Sequence, residues 1–234
     1  MRGAASSWWY KRVMAVLATL MFAALLGGSP AAPRKVPKVP NVPNMPVGWA
    51  WPPTPAMQAG GERCLARLDV AGVVHRRGPA TRKIATPVEL PEMSVGGVPL
   101  VPLGGKGRYP LDCHLAAALA EVAPALRALG VGALHFRTLH KYRVVRKRGR
   151  STRILSRHSI GLAIDVFEVG FDDGVVLRVA SDWRRDDQRL VLVVAVFEAA
   201  AAAFRTPLTP ANDPRDHGDH VHFEAHMPIR AVSQ

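Results

Sequence analysis

The sequence predicts an α+β fold with a small, mainly antiparallel sheet and flanking helices. Three patterns support this: a capped amphipathic helix that starts after residue 112, hairpin-like strand pairs around polar turns, and a long apolar helix near the C-terminus. Hydrophobic residues make up 48% of the 234 residues, so a packed core is expected. Twenty prolines and twenty glycines are too many for a helical bundle.

Residues 1–32 are predicted to be a signal peptide or an N-terminal anchor. Lys11 and Arg12 are followed by an apolar run of 14 residues, 13–26, and then by small residues. That run is short for a membrane span, which needs about 20 residues, and is typical of the apolar core of a signal peptide. Either interpretation predicts export to the periplasm or cell envelope.

Residues 33–60 are predicted to form a proline-rich linker ahead of a domain over 61–234. Prolines recur at every third position, which is the period of a stiff polyproline II helix; they are Pro37, Pro40, Pro43 and Pro46. Trp49 and Trp51 within the linker indicate either a docking patch or an early contact with the domain surface.

The domain holds the only two cysteines of the chain, Cys64 and Cys113. In an exported protein such a pair predicts a disulfide, the alternative being two unpaired buried thiols. The proline- and glycine-rich stretch between them predicts short strands and turns.

A helix is predicted after Asp112, which is a good N-cap residue, and Gly130 is its expected end. Pro124 is expected to kink this helix or to split it in two. The elements predicted further along are a strand at 134–136, a basic hairpin over 142–155, strands at 161–167 and 175–180 around a turn at 172–174, a helix over 189–204 and a strand over 219–225.

The chemistry is concentrated in two segments, 156–165 and 217–224. Four of the nine histidines lie between 217 and 226, and strand alternation directs His220 and His222 to the same side. If the two strands pair, Asp165 and His222 meet on one sheet face with His158 folded over them. Two imidazoles and one carboxylate with an open fourth position are the ligand set of a catalytic zinc site, here on the sheet face.

The pattern Ser156-x-His158-x-x-Gly161-x-Ala163-x-Asp165, followed by His220-x-His222, resembles the signature of zinc peptidases of the lysostaphin, D-Ala-D-Ala carboxypeptidase and Sonic hedgehog types. The order of the motifs, with the paired cysteines ahead of them, is most similar to the extensin-like C-terminal domain family.

This resemblance implies one Zn²⁺ ion held by His158, Asp165 and His222. It implies that His220 is a catalytic histidine and that His217 assists it. Arg143 resembles an arginine that contacts substrate in carboxypeptidase-type members. The Glu-x-x-Trp-His ending that supplies a general base in the D-Ala-D-Ala peptidases is absent, and Glu224 is expected to be structural.

The net charge of +13 is concentrated locally, since residues 141–157 contain eight bases and no acid. This stretch is either a solvated hairpin or an electropositive wall that attracts peptidoglycan or another acidic cell-wall polymer. Predicted export and the small number of interleaved aromatic residues, of which Tyr142 is the only one in this stretch, argue against nucleic acid as the partner.

Two functions follow from the sequence. The first is an exported zinc-dependent peptidase or amidase acting on peptidoglycan peptides, and its alternative is a zinc-containing, non-catalytic wall-binding module. A basic envelope protein without metal is the third interpretation.

Overall fold

Strand β9, Ala163–Phe171, is the organising element of the fold because it pairs along both edges. One edge pairs antiparallel with β6, Val131–Thr138. The other edge is shared by β11, Val221–Glu224, along the first half of β9 and by β10, Val176–Arg178, along its second half, both antiparallel. The first half of β9 therefore lies between two strands, β6 and β11.

The sheet continues from β6 to β4, Val98–Pro102, which is parallel to β6, and then to β3, Ser94–Val95, which is antiparallel to β4. A second small sheet is antiparallel and contains β1, Arg76–Arg77, β2, Pro87–Glu89, and β5, Leu111–Asp112. The mixed α+β class is confirmed.

The structure is a computed structural model that describes residues 43–104, 107–147, 150–185 and 188–229. The predicted signal or anchor, residues 1–32, and the first part of the linker lie outside these ranges. Within the described ranges, no helix has the length and apolar character that crossing a bilayer requires.

Helix α2, Cys113–Ala128, begins where the capping residue predicts, because the Asp112 side chain accepts a hydrogen bond from the His114 backbone N–H. The helix continues through Pro124 and is not split. Burial of the apolar residues on both sides of the proline against neighbouring elements offsets the missing hydrogen bond.

Helix α1, Pro55–Val70, begins inside the segment predicted as linker and includes Cys64, where strands and turns were expected. Thr54 caps it, Pro55 occupies the first helical position, and Gly60 and Gly61 within it obscure the helical pattern in the sequence. The helix packs on α2, and the predicted disulfide between Cys64 and Cys113 joins them, with Cα atoms 6.0 Å apart.

Helix α4, Gln188–Ala199, ends five residues before the predicted position, 204. The chain turns after Ala199 because Phe204 pairs with Ala225 beside β11. Phe197, Phe204 and Phe223 then form an aromatic cluster, in which the rings of Phe197 and Phe223 stack 3.7 Å apart. Past the helix, Ala200 and Phe204 are buried while Ala201 and Ala202 are exposed, so only part of the apolar run belongs to the core.

The predicted basic hairpin is present as β7, Val144–Lys147, and β8, Arg150–Leu155, which pair antiparallel, while residues 148 and 149 of its turn lie outside the described ranges. The strand predicted at 175–180 is shorter, since helix α3, Val179–Asp182, begins directly after β10.

Candidate metal centre

The register between β9 and β11 brings two of the predicted ligands together. His222 lies directly opposite Asp165 in this antiparallel pair, so both side chains project from the same face of the sheet. His222 Nδ1 lies 2.7 Å from Asp165 Oδ1, and both residues are buried. The pairing predicted from the two motifs is therefore present.

His158 reaches the same point from a short 3₁₀ helix, Arg157–Ile160. Ser156 caps this turn, and Gly161 ends it with a φ of +69°. A Cβ at Gly161 would lie 2.7 Å from the backbone nitrogen of Asp112, so only glycine fits at this position. The turn folds His158 back over the start of β9.

The three predicted ligands form one compact group, here called the triad: His158, Asp165 and His222. His158 Nε2 lies 2.9 Å from Asp165 Oδ1 and 3.1 Å from His222 Nδ1. The ligand atoms of all three lie within 4.8 Å of one another.

Hydrogen bonds behind the triad determine which ring nitrogens face it. His158 Nδ1 donates to the Leu139 carbonyl at 3.1 Å, and His222 Nε2 donates to Glu224 Oε1 at 3.0 Å. In the neutral form of each ring, the remaining nitrogen then directs a lone pair toward Asp165. Three acceptor atoms converge on one point, and such an arrangement requires a cation or a proton between them.

The pKa values of His222 and Asp165 are shifted by their contact with each other, in the directions that favour a positive His222 and a negative Asp165. Burial disfavours charge on His222, but its hydrogen bonds to Asp165 and Glu224 prevail and raise its pKa to about 9. Burial lowers the pKa of His158. Burial opposes ionisation of Asp165, yet the two histidines hold its pKa well below the usual range. In the metal-free protein the triad therefore holds an anionic carboxylate and a proton on His222.

Glu224 links the triad to two arginines. Its Oε1 accepts from His222, and its Oε2 accepts from Arg205 Nη1 at 2.7 Å and lies 3.6 Å from Arg157 Nε. Arg157 is only 4% exposed and also donates to the backbone carbonyls of Asn44 and Ala225. Glu224 therefore has a structural role, which is to orient His222 in the triad.

Next to the triad lie the other predicted site residues, here called the rim: Arg143, His217 and His220. His220 Nε2 lies 3.6 Å from Asp165 Oδ1, and His220 Nδ1 lies 2.7 Å from Asp219 Oδ1. The imidazole stacks on the Phe167 ring at 4.8 Å, with the planes 18° apart. These contacts point one ring nitrogen at the triad and the other at a carboxylate.

His217 lies beside both His220, which precedes β11, and His222 in β11. The centre of its ring is 4.9 Å from that of His220 and 5.3 Å from that of His222. Its Nδ1 lies 3.0 Å from Asp213 Oδ2. Burial, with the neighbouring histidines, lowers its pKa to about 4, so it is neutral near pH 7.

Arg143 also lies at the triad, since its Nη2 donates to Asp165 Oδ2 at 3.3 Å. Its backbone exchanges two hydrogen bonds with the Ser159 hydroxyl, which holds the residue close to the His158 turn. With its side chain 41% exposed, the guanidinium can still bind a group from solvent.

The sequence interpretation missed three residues that orient the rim: Asp213, Asp219 and Phe167. The i,i+4 spacing of Asp213 and His217 and the adjacency of Asp219 and His220 were available signals. Phe167 offered none, because its contact with His220 depends on the register of β9 with the segment leading into β11.

The chain belongs to the extensin-like protein C-terminus family, whose model matches residues 62–232. No curated protein and no solved structure matches the chain significantly.

Proposed function

We propose that this protein is an exported zinc-dependent peptidase or amidase that acts on the peptides of cell-wall peptidoglycan. The observation that carries the proposal is the convergence of three buried acceptor atoms, from two imidazoles and one carboxylate, with a hydrogen-bond partner behind each imidazole. Structural zinc sites use four protein ligands, whereas a set of three is typical of catalytic sites that keep one position open.

The residues of the triad fit zinc by their chemistry and by their spacing. Nitrogen and carboxylate ligands bind zinc at about 2.0–2.2 Å, so tetrahedral ligand atoms lie about 3.4 Å apart. The corresponding distances here are 2.7, 2.9 and 3.1 Å, so small side-chain shifts accommodate the ion. When bound, zinc lowers the pKa of water to about 7 and polarises a carbonyl.

His220 is the residue of this chain best placed to move a proton. Its Nε2 faces the triad, while Asp219 accepts from its Nδ1 and fixes the orientation of the ring. It can take the proton of the attacking water and deliver it to the departing amine, as a general base and then a general acid. Neutral His217 lies close enough to assist.

Arg143 supports a peptide substrate that carries carboxylates. Its guanidinium neutralises the outer oxygen of Asp165 and remains open to solvent, so it can pair with a carboxylate next to the reacting carbonyl. The basic residues of β7 and β8, which follow Arg143, add attraction for an acidic polymer.

Two features of the sequence support the envelope as the place of action. The N-terminal residues are typical of an export signal or anchor, and the two motifs resemble those of zinc peptidases that cleave wall peptides. The disulfide between Cys64 and Cys113 is consistent with an oxidising compartment.

The test measures zinc content and muropeptide turnover on one purified sample of the full chain. We expect about one zinc per chain and cleavage of a peptide or amide bond, resolved by mass spectrometry. His226→Ala is the matched control, because His226 follows β11 but does not belong to the triad or rim. Zinc without any turnover would favour the wall-binding module, and absence of zinc would overturn the proposal.

A further inference from the structure

A second group of residues beside the metal centre combines exposed aromatic rings with cations. The guanidinium carbon of Arg82 lies 3.8 Å from the centre of the Tyr142 ring, and Lys83 Nζ lies 5.4 Å from the centre of the Trp51 ring. Arg82 and Lys83 are consecutive, so one turn carries both cations. We call Trp51, Arg82, Lys83 and Tyr142 the aromatic shelf.

Both rings of the shelf remain accessible although each contacts a cation. Trp51 is 39% exposed and Tyr142 is 44% exposed, and both are among the few large apolar or aromatic residues exposed in the described part of the chain. Exposed aromatic residues of this kind are enriched where proteins bind partners.

The turn that carries the two cations has an unusual backbone. Ile84 N–H donates to the Thr81 carbonyl, which closes a turn with Lys83 at its third position and a φ of +67°. Glycine or asparagine is usual at such a position, because a side chain there is strained. A lysine held there by the surrounding structure keeps its amino group beside Trp51.

The shelf is tied to the metal centre at two points. The buried Ile84 side chain follows the two cations and packs against Gly161, where an added Cβ would lie 3.0 Å from Ile84 Cδ1. At the other end, Tyr142 precedes Arg143, whose guanidinium contacts Asp165. Residues adjacent to the shelf in the chain therefore connect it to the His158 turn and to Arg143.

We infer that the aromatic shelf binds the sugar backbone of peptidoglycan and so presents the attached peptide to the triad, an inference that rests on the proposed function. A pyranose ring has an apolar C–H face that packs on an aromatic ring, while its hydroxyl and carboxylate oxygens accept hydrogen bonds from cations. The shelf offers both partners side by side. Predicted export favours a glycan over a single-stranded nucleic acid, which would also stack on such rings.

The test uses the full chain and two probes, peptide-free glycan strands for binding and a sugar-free wall peptide for turnover. In the double variant Trp51→Ala with Tyr142→Ala, we expect glycan binding to weaken at least about tenfold, while zinc content and turnover of the sugar-free peptide stay within about twofold. Turnover of intact peptidoglycan should fall with glycan binding. The double variant Arg184→Ala with Arg185→Ala, which removes two exposed bases next to α3, is the control for charge.

Two milder variants keep the inference testable if the double variant does not fold. Tyr142→Phe should retain glycan binding, and Lys83→Glu should weaken it by reversing one charge. Unchanged glycan binding in the double alanine variant or in Lys83→Glu overturns the inference, as does tighter shelf-dependent binding of an oligothymidylate than of glycan. Loss of glycan binding in a protein that never cleaves the peptide supports the shelf and refutes only the proposed catalysis.

Discussion

The triad and the rim lie side by side but are built differently. The triad side chains are buried, and backbone pairing of β9 with β11 and the capped 3₁₀ turn place them directly. The rim side chains are more accessible and are oriented by acidic or aromatic neighbours. Metal binding should therefore depend on the first region, and proton transfer and substrate contact on the second.

The difference is sharpest between two histidines separated only by Val221. His222 donates to the half-buried Glu224 and directs Nδ1 into the triad, whereas His220 contacts the exposed Asp219, and its Nε2 lies 3.6 Å from Asp165 Oδ1. The strand predicted over 219–225 begins only at Val221, so His220 lies just before β11 and is positioned by Asp219 and Phe167, whereas His222 is positioned by strand pairing.

The largest expected effect is that of Asp165→Asn. The amide keeps the size of the side chain but removes the charge that the two imidazoles and zinc require, so zinc should fall from about one per chain to below about a tenth, and turnover to background. Elemental analysis and muropeptide digestion measure both. Asp173→Asn, at the exposed turn before β10, should change neither.

Substituting His220 with alanine should remove the proton-transfer function of the rim and leave the metal-binding function of the triad intact. We expect turnover to fall by about 10²–10⁴-fold, the usual effect of losing a positioned acid–base group, with zinc retained. His222→Ala should lose zinc and turnover together. The reverse result, in which His220→Ala loses zinc and His222→Ala retains it, would exchange the two assignments.

A smaller effect is expected for Glu224→Gln, which retains an oxygen for His222 but removes the negative charge. Zinc affinity should weaken by about 10–100-fold, the usual cost of losing a partner behind a metal ligand. Competition with a chelator of known affinity measures the change. Glu168→Gln on β9, whose carboxylate pairs with Arg178, is the control, and equal affinities for the two variants would refute the role of Glu224.

The smallest effect is a pH dependence of stability. Since the pKa of His222 is raised to about 9, its contribution to the metal-free protein is complete below about pH 6.5 and is lost as the pH rises through 9. We expect the free energy of unfolding in a chelator to fall across this window, by about 3 kcal/mol at most. Zinc should oppose the fall, because deprotonated ligands bind it more tightly.

Denaturant unfolding at pH 6.5 and pH 9, with chelator and with zinc, provides the measurement. His222→Ala should abolish the slope in chelator. An equal slope in this variant and in the unmodified chain would show that another group causes it.

The motifs of this chain were sufficient to predict the triad because its geometry follows from local rules. The histidine in the turn between Ser156 and Gly161 is close in sequence to the aspartate of one apolar strand, and Asp165 and His222 each have a defined direction once their strands pair. The disulfide was predictable for a similar reason, since two cysteines leave one pairing.

Helix α1 and the end of α4 were not predictable in the same way. Gly60 and Gly61 weaken the local helical pattern of α1, and its packing on α2 compensates. The sequence after α4 favours a longer helix. Pairing of Phe204 next to β11 and its packing in the aromatic cluster stabilise the fold more than further helical turns would. Tertiary contacts outweighed local preference in both places.

The sequence by itself determined the identity of the three triad side chains and the strand faces that carry Asp165 and His222, because these depend on spacing within short segments. Only the tertiary structure decided which nitrogen of each histidine faces the triad. That choice depends on Leu139, which is 19 residues from His158, and on Glu224, which is close to His222 in the chain but is held by Arg205, 19 residues away. A hydrogen bond requires its two groups to be about 3 Å apart in space, and the number of residues between them in the chain does not reveal this.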